Sequence, residues 1–142
     1  MSMDKRIVKF LKKHHVLTVA SCVDNRPWTA NCFYAFMEED NSFVFTTDDD
    51  TRHGKEFMSN PHVAGSVVLE TKVIGKIRGI QFEGEVSKPD ATSYKKVKNA
   101  YLKRFPVAML MDTNLWVVKV THIKLTDNRL GFGKKLVWGE TN

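Results

Sequence analysis

Through the stretch 28–37, WTANCFYAFM, apolar side chains recur at every second position. Trp28, Ala30, Cys32, Tyr34 and Phe36 therefore share one face of an extended chain. That period of two is incompatible with a helix and marks a strand with one buried face. The run before it, VLTVASCV (16–23), is separated from it by Asp24-Asn25-Arg26-Pro27. After it, EEDNS leads to FVFTT (43–47). Strands this short, punctuated by turn residues, predict a meander of three antiparallel strands.

The pattern resumes at 62–70 (HVAGSVVLE) and 76–87 (KIRGIQFEGEVS), then at 115–126 (LWVVKVTHIKLT) and 136–138 (LVW). Three helical segments interrupt it. Residues 4–15 gather Ile7, Val8, Phe10 and Leu11 on one side of a short helix. At its end His14 and His15 read as cationic side chains suited to a helix C-terminus. A helix of about two turns is expected near 51–59, stopped by Asn60-Pro61. A longer one follows Pro89-Asp90, with Asp90 as its cap and Tyr94, Val97, Tyr101 and Phe105 as its apolar stripe. The expected fold is mainly β: a closed antiparallel barrel of six to seven strands with about three inserted helices, one domain over 1–142.

The net charge of +6 is uneven. Residues 1–71 carry 8 basic and 10 acidic side chains, residues 72–142 carry 14 and 6. A basic half can attract nucleic acid, but it lacks interleaved aromatic platforms and recognised motifs, so a polynucleotide partner is not expected. It can equally line a pocket for a phosphorylated small molecule. No apolar run is long enough to span a membrane, and the N-terminus lacks the apolar core of a secretion signal. Cys22 and Cys32 are too few for a disulfide framework or a zinc site. They read as buried thiols in a reducing cytoplasm.

The most informative stretch is FVFTTDDDTRH, 43–53. A helix start leaves backbone N–H groups unpaired and carries partial positive charge. With Thr51 and Arg52 in that first turn, a hydroxyl, a guanidinium and free amides meet at one point, as a phosphate site requires. Thr46 and Thr47 can add hydroxyls from the strand end. Asp48, Asp49 and Asp50 lack the alternating spacing of a calcium loop and read as helix caps facing water. Local residues alone leave two readings open: a capped helix, or an anion site.

The order of the strand hairpin, FVFTTDDDTRH, NPHV and IQFEGEV resembles the pyridoxamine 5′-phosphate oxidase-like split-barrel family, which binds flavin mononucleotide (FMN) between two subunits. RGIQFEGE, RFPVA and TDNRLGFGKKLVW extend the resemblance to a bacterial branch, the YhbP proteins, over nearly the whole chain. The resemblance implies a homodimer in which Thr51 and Arg52 hold the flavin phosphate and His53 completes the triplet. Asn31, Cys32, Phe33 and Tyr34 would lie along the isoalloxazine and ribityl chain, largely through backbone contacts. Thr46 and Thr47 would touch the ribityl and phosphate region. Arg78 would stand where the partner subunit usually contributes, and Lys134 and Lys135 would reach in from the C-terminal segment.

Arg78 shares strand parity with Ile80, Phe82 and Val86, so an inward arginine calls for a counter-charge: a bound phosphate or an internal carboxylate. Several positions depart from the family. His53 replaces a lysine, Asn31 an arginine and Phe36 a lysine that grips substrate phosphate, and the C-terminal Arg-x-His is absent. Vitamin B6 oxidation is therefore not expected. Phosphate binding is expected to depend on pH near neutrality through His53, beside an apolar pocket containing Tyr34, Phe36 and Trp116.

The leading expectation is a flavin-dependent oxidoreductase acting on a small molecule, with His53, Tyr34 and His122 as the candidate proton-transfer groups. The alternatives are a non-catalytic flavin carrier or sensor, and a haem protein using His14, His15 or His53 as axial ligand.

Overall fold

The computed structural model describes residues 2–111 and 114–139. The described residues form seven strands and three α-helices: α1 (Lys5–Lys13), β1 (Val16–Val23), β2 (Arg26–Met37), β3 (Ser42–Thr46), α2 (Arg52–Ser59), β4 (His62–Val68), β5 (Arg78–Ser87), α3 (Tyr94–Arg104), β6 (Leu115–Asp127) and β7 (Lys135–Gly139). Every pairing is antiparallel, in the order β3-β2-β1-β4-β5-β6-β7. A further antiparallel pairing, β3 with β6, closes the first six strands into a barrel and leaves β7 on the outside of β6. This is the closed antiparallel barrel expected from the alternation, in the split form that the resemblance implies.

The β1–β2 hairpin turns on Asp24 and Asn25, both at positive φ (54° and 60°). Two consecutive left-handed residues make the type I′ turn that matches strand twist, and Asp and Asn tolerate that region better than most residues. Register then follows from Val23 opposite Arg26 through to Val16 opposite Phe33. It directs Cys32, Tyr34 and Phe36 inward and leaves Asn31 and Phe33 outside.

The barrel is filled by Leu17, Val19, Tyr34, Phe43, Phe82 and Ile123, with an edge-to-face contact between Tyr34 and Phe43 at 5.2 Å. β3 is buried on both faces. Phe43 and Phe45 point into the barrel core, while Val44 packs with Val97, Tyr101 and Leu115 under α3. That double burial explains why its sequence is an apolar run instead of an alternation. α1 closes one barrel end with Ile7 and Leu11, both fully buried. α2 closes the other through Phe57, whose ring lies 5.3 Å from Trp116 and 6.1 Å from Phe45.

Four local expectations are corrected. Asp90 does not cap α3: its carboxylate accepts from Thr92 Oγ1 (2.7 Å) and Ser93 N (2.8 Å), closing a turn before the helix starts at Tyr94. Tyr94 is exposed, so the buried stripe of α3 begins at Val97. The surroundings of His14 disfavour a cation at the end of α1. Its ring stacks on Phe10 at 4.2 Å, and burial, helped by the Arg78 charge, pushes its pKa down. β4 stops at Val68, before the expected end at residue 70.

No helix among the described residues is long and apolar enough to cross a membrane. No group of three or more metal-ligating side chains converges among them.

Gly65 shows how tightly the wall is built. A Cβ there would lie 2.3 Å from the Thr18 carbonyl oxygen and 2.4 Å from the Phe82 ring. Gly65→Ala is expected to cost about 1–3 kcal/mol, the usual range for overpacking. Denaturant midpoints of the two proteins measure it, and an unchanged midpoint would mean that the wall yields.

Candidate functional site

The opening of α2 is assembled by Thr51. Its backbone is extended (φ −68°, ψ 160°), and its hydroxyl accepts from Gly54 N (3.1 Å) while donating to the Asp48 carbonyl (2.7 Å). Thr51 is therefore the N-cap, and the aspartates are not. Asp48 contributes a carbonyl to the cap, and Asp49 forms an ion pair with Lys88 instead of facing water alone. Gly54 lets the loop fold this closely, because a Cβ there would sit 2.6 Å from the Asp48 carbonyl oxygen. With Gly54 N and Lys55 N satisfied by Thr51, the amides of Arg52 and His53 have no hydrogen-bond partner among the described residues. They are donors at the positive end of the helix.

Arg52 stands beside those amides. Its guanidinium lies over the Trp28 ring, 4.3 Å from the centroid, and its Nε donates to Glu56 Oε2 at 2.9 Å. Glu56 Oε1 in turn accepts from Ser21 Oγ at 2.7 Å. That hydrogen bond, and then the one from Arg52, hold the Glu56 carboxyl below its usual range. Three elements thus fix one guanidinium: a stacking ring from β2, a carboxylate one turn along α2 and a hydroxyl from β1. Nη1 and Nη2 make no hydrogen bond among the described residues.

His53 behaves differently from the lysine it replaces. Its Nε2 meets the hydroxyls of Thr47 and, at 3.3 Å, Thr51. Burial lowers its pKa, with Glu56 opposing the shift weakly. The neutral ring is thus favoured, and the expected pH response moves further to the acid side of neutrality. Thr47 also accepts from Trp116 Nε1 through its carbonyl (3.3 Å), and Thr46 Oγ1 lies 3.2 Å from the Tyr101 hydroxyl. Thr46, Thr47, Thr51, Arg52 and His53 are therefore brought together around one loop.

The β2 residues divide by face. Asn31 is exposed and accepts from Thr18 Oγ1 (2.7 Å), and Phe33 is exposed against Phe105 at 5.6 Å. Cys32 is buried, and burial pushes its thiol pKa up to about 11. Tyr34 is fully buried, donates its hydroxyl to the Leu11 carbonyl (2.6 Å) and has its pKa raised by burial, which removes it from proton transfer at neutral pH. The expected apolar pocket does not form: Tyr34, Phe36 and Trp116 are all members of the barrel core.

Arg78 and Lys134 lie elsewhere. Thr46 is registered with Leu115 at one end of β6, whereas Arg78 is registered with Asp127 at the other. Lys134 is exposed in the loop beside Asp127, whose amide donates to its carbonyl. Within one chain, neither reaches the start of α2. Among the histidines weighed as haem ligands, His14 Nε2 is buried without a partner, His53 Nε2 is engaged by threonines, and His15 is exposed beside Phe105.

Sequence reasoning missed Trp28, Glu56, Ser21 and Lys88. Glu56 carried a signal, since it follows Arg52 by four residues on a helix. The other three reach the loop only through the barrel's pairing.

A profile of the pyridoxamine 5′-phosphate oxidase family matches residues 3–127. The chain belongs to that family. A UPF0306 protein of Photorhabdus laumondii is 41% identical over 132 residues, covering 93% of this chain and 92% of the relative. Among solved structures, an FAD-binding protein from Mesorhizobium loti superposes with a TM-score of 0.71 at 14% identity, covering 87% of this chain and 93% of its own. A haem storage protein from Vibrio cholerae gives 0.67 at 18% identity, covering 84% and 91%. At such identities the two structures show the shared family fold alone.

Two outcomes test this loop. Thr51→Ala is expected to lower stability by about 1 kcal/mol, the typical value of an N-cap hydroxyl, as read from denaturant unfolding. Because the folded-state pKa of His53 is lowered, its contribution to stability is complete above its unfolded value and is lost as pH falls through the folded value. His53→Gln should therefore flatten the decline in unfolding midpoint on the acid side of pH 6.5. An identical decline in both proteins would remove His53 as its source.

Proposed function

We propose that this protein binds flavin mononucleotide, with its phosphate at the start of α2, and acts as a flavin-dependent oxidoreductase on a small molecule. The observation that carries the reading is the pair of unpartnered amides of Arg52 and His53 beside a guanidinium held by Trp28 and Glu56. That donor set suits a phosphate monoester: two N–H groups at the helix start and two free guanidinium nitrogens. The family supports a flavin, and the FAD-binding neighbour carries one on the same fold.

The chain's own residues have limited tasks. Arg52 and the α2 amides bind and orient the phosphate. Thr51 holds the loop through which they converge, and His53 ties Thr47 to the cap. Along β2, the inward side chains of Cys32 and Tyr34 leave only backbone groups available to a ligand on the outer face, beside Asn31 and Phe33. Bound flavin would supply the electron-transfer chemistry. A true pyridoxamine phosphate oxidase is disfavoured, because Phe36 stands buried where a substrate-binding lysine belongs.

A homodimer is part of this reading. The outer face of β1 and β4 carries small residues in register, Thr18 opposite Ser66 and Ala20 opposite Ala64, with exposed Val16 and Val68 at its margin. A second sheet can approach such a face closely, and a partner copy is the route by which Arg78 or Lys134 would approach a flavin.

Charge-assisted hydrogen bonds contribute about 1.5–3 kcal/mol each, which is about 10- to 100-fold in affinity. Arg52→Ala is accordingly expected to weaken FMN binding by that factor and riboflavin binding by less than about twofold, as measured by flavin fluorescence titration. Equal losses for the two flavins would remove Arg52 from the phosphate.

A further inference from the structure

The α1 end of the barrel holds a second arrangement, of which the flavin reading engages Arg78 alone, and only through a partner copy. Between α1, the start of β5 and the end of β6 lies a cavity of about 220 Å³, lined among others by Arg6, Lys9, Lys13, Arg78, Arg129 and Asp127. Arg6, Lys9 and Lys13 recur at i, i+3 and i+7, so α1 presents them on one face. The register of β5 against β6 sets Arg78 opposite Asp127.

Charge does not balance there. Asp127 is buried, but both of its oxygens are taken by Arg129: Oδ1 accepts from the backbone N (3.0 Å) and Nε (3.1 Å), and Oδ2 accepts from Nη2 (2.9 Å). The internal carboxylate that would answer Arg78 is thus hydrogen-bonded by Arg129, and Arg78 acts on it only as a nearby charge. Arg78 Nε is buried with no hydrogen-bond partner, and its guanidinium sits 6.0 Å from the Phe10 ring. Arg6 is paired with Asp4, whereas Lys9, Lys13 and Arg78 have no ion pair among the described residues. Arg78 and two exposed lysines, none of them in an ion pair among the described residues, converge on one cavity, and a buried guanidinium donor without an acceptor is costly unless an anion supplies one.

We propose that this cavity is a separate oxyanion site that takes a phosphate group. A dianion matches the three-fold cation excess better than a carboxylate, and a tetrahedral phosphate offers acceptors to Arg78 Nε and to both lysines at once. The volume falls below the roughly 300–1,000 Å³ of pockets for larger ligands, which limits the occupant to free phosphate or the phosphoryl head of a small metabolite. The site is complete within one chain and does not rest on flavin binding.

The test is titration of the intact 15N-labelled protein with inorganic phosphate, and separately with glycerol 3-phosphate, in dilute chloride buffer, followed by NMR. Saturable shifts are expected at the amides of Lys13, Arg78 and Gly79, with a midpoint of their own, distinct from that of any shift at Arg52, His53 and Gly54. Arg78→Gln, and independently the surface double variant Lys9→Gln/Lys13→Gln, should each weaken binding at least about tenfold, the scale of a lost charge-assisted contact. The lysine variant should retain the fold and its flavin affinity, which separates failure here from failure of the flavin site. Tighter binding of glycerol 3-phosphate assigns the site to a phosphorylated metabolite, and tighter binding of inorganic phosphate assigns it to the free ion. Shifts confined to Arg52–Gly54, no saturable shift, or unchanged affinity in both variants would overturn the proposal.

Discussion

The pairing of β3 with β6 is the constraint on which the rest of this structure depends. Five residues, Ser42–Thr46, lie between β2 and β6 and turn an open sheet into a barrel. Their burial on both faces makes that closure stable: Phe43 and Phe45 fill the interior while Val44 seats α3 outside. Closure also fixes where β3 ends. Thr46 comes to rest against Leu115, and the chain must then cross the barrel mouth, which it does through the Asp48–Asp50 loop and α2. Phe57 anchors that helix against Phe45 and Trp116, so its first turn is held at the rim with its amides outward.

Electrostatics at the rim follow from that placement. Three aspartates and an arginine in five positions look contradictory as a string, yet their fates differ in space. Asp49 meets Lys88 from beyond the end of β5, Asp48 contributes its carbonyl to the Thr51 cap, and Arg52 is drawn onto Trp28 and Glu56. The acidic loop is thereby partly neutralised, and the donors of the helix start remain. At the far end of the barrel the balance tips the other way, because the carboxylate of Asp127 is hydrogen-bonded by Arg129 while Arg78, opposite it in register, makes no ion pair among the described residues.

Much of this was legible in the residues. Alternation along 28–37 and the turn residues at 24–25 specify a hairpin through side-chain period and backbone conformation, which are local properties. The place of Thr51 and Arg52 at a helix start was legible for the same reason, since a helix start is recognised from its immediate neighbours. What the string hid was tertiary. Tyr34 and Phe36 were read as pocket walls because alternation says which residues share a face, not whether that face meets a cavity or a packed interior. His14 read as a cation because its helix-end position was visible and its burial beside Arg78 was not. Asp90 and Ser93 are both good capping residues, and the string does not distinguish them, whereas in the structure Asp90 closes the turn that precedes Tyr94. The far-end cavity depends on the β5–β6 register, which a bulge between Glu83 and Gly84 shifts.

The central claim is that the start of α2 receives the phosphate of a flavin. The most direct measurement is an absorption titration of the purified full chain with FMN across the visible flavin bands, with the oligomeric state read by gel filtration on the same sample. The account expects a saturable perturbation of those bands at one flavin per chain, on a protein eluting as a dimer. A folded dimer that leaves the flavin spectrum unchanged at every concentration would contradict it.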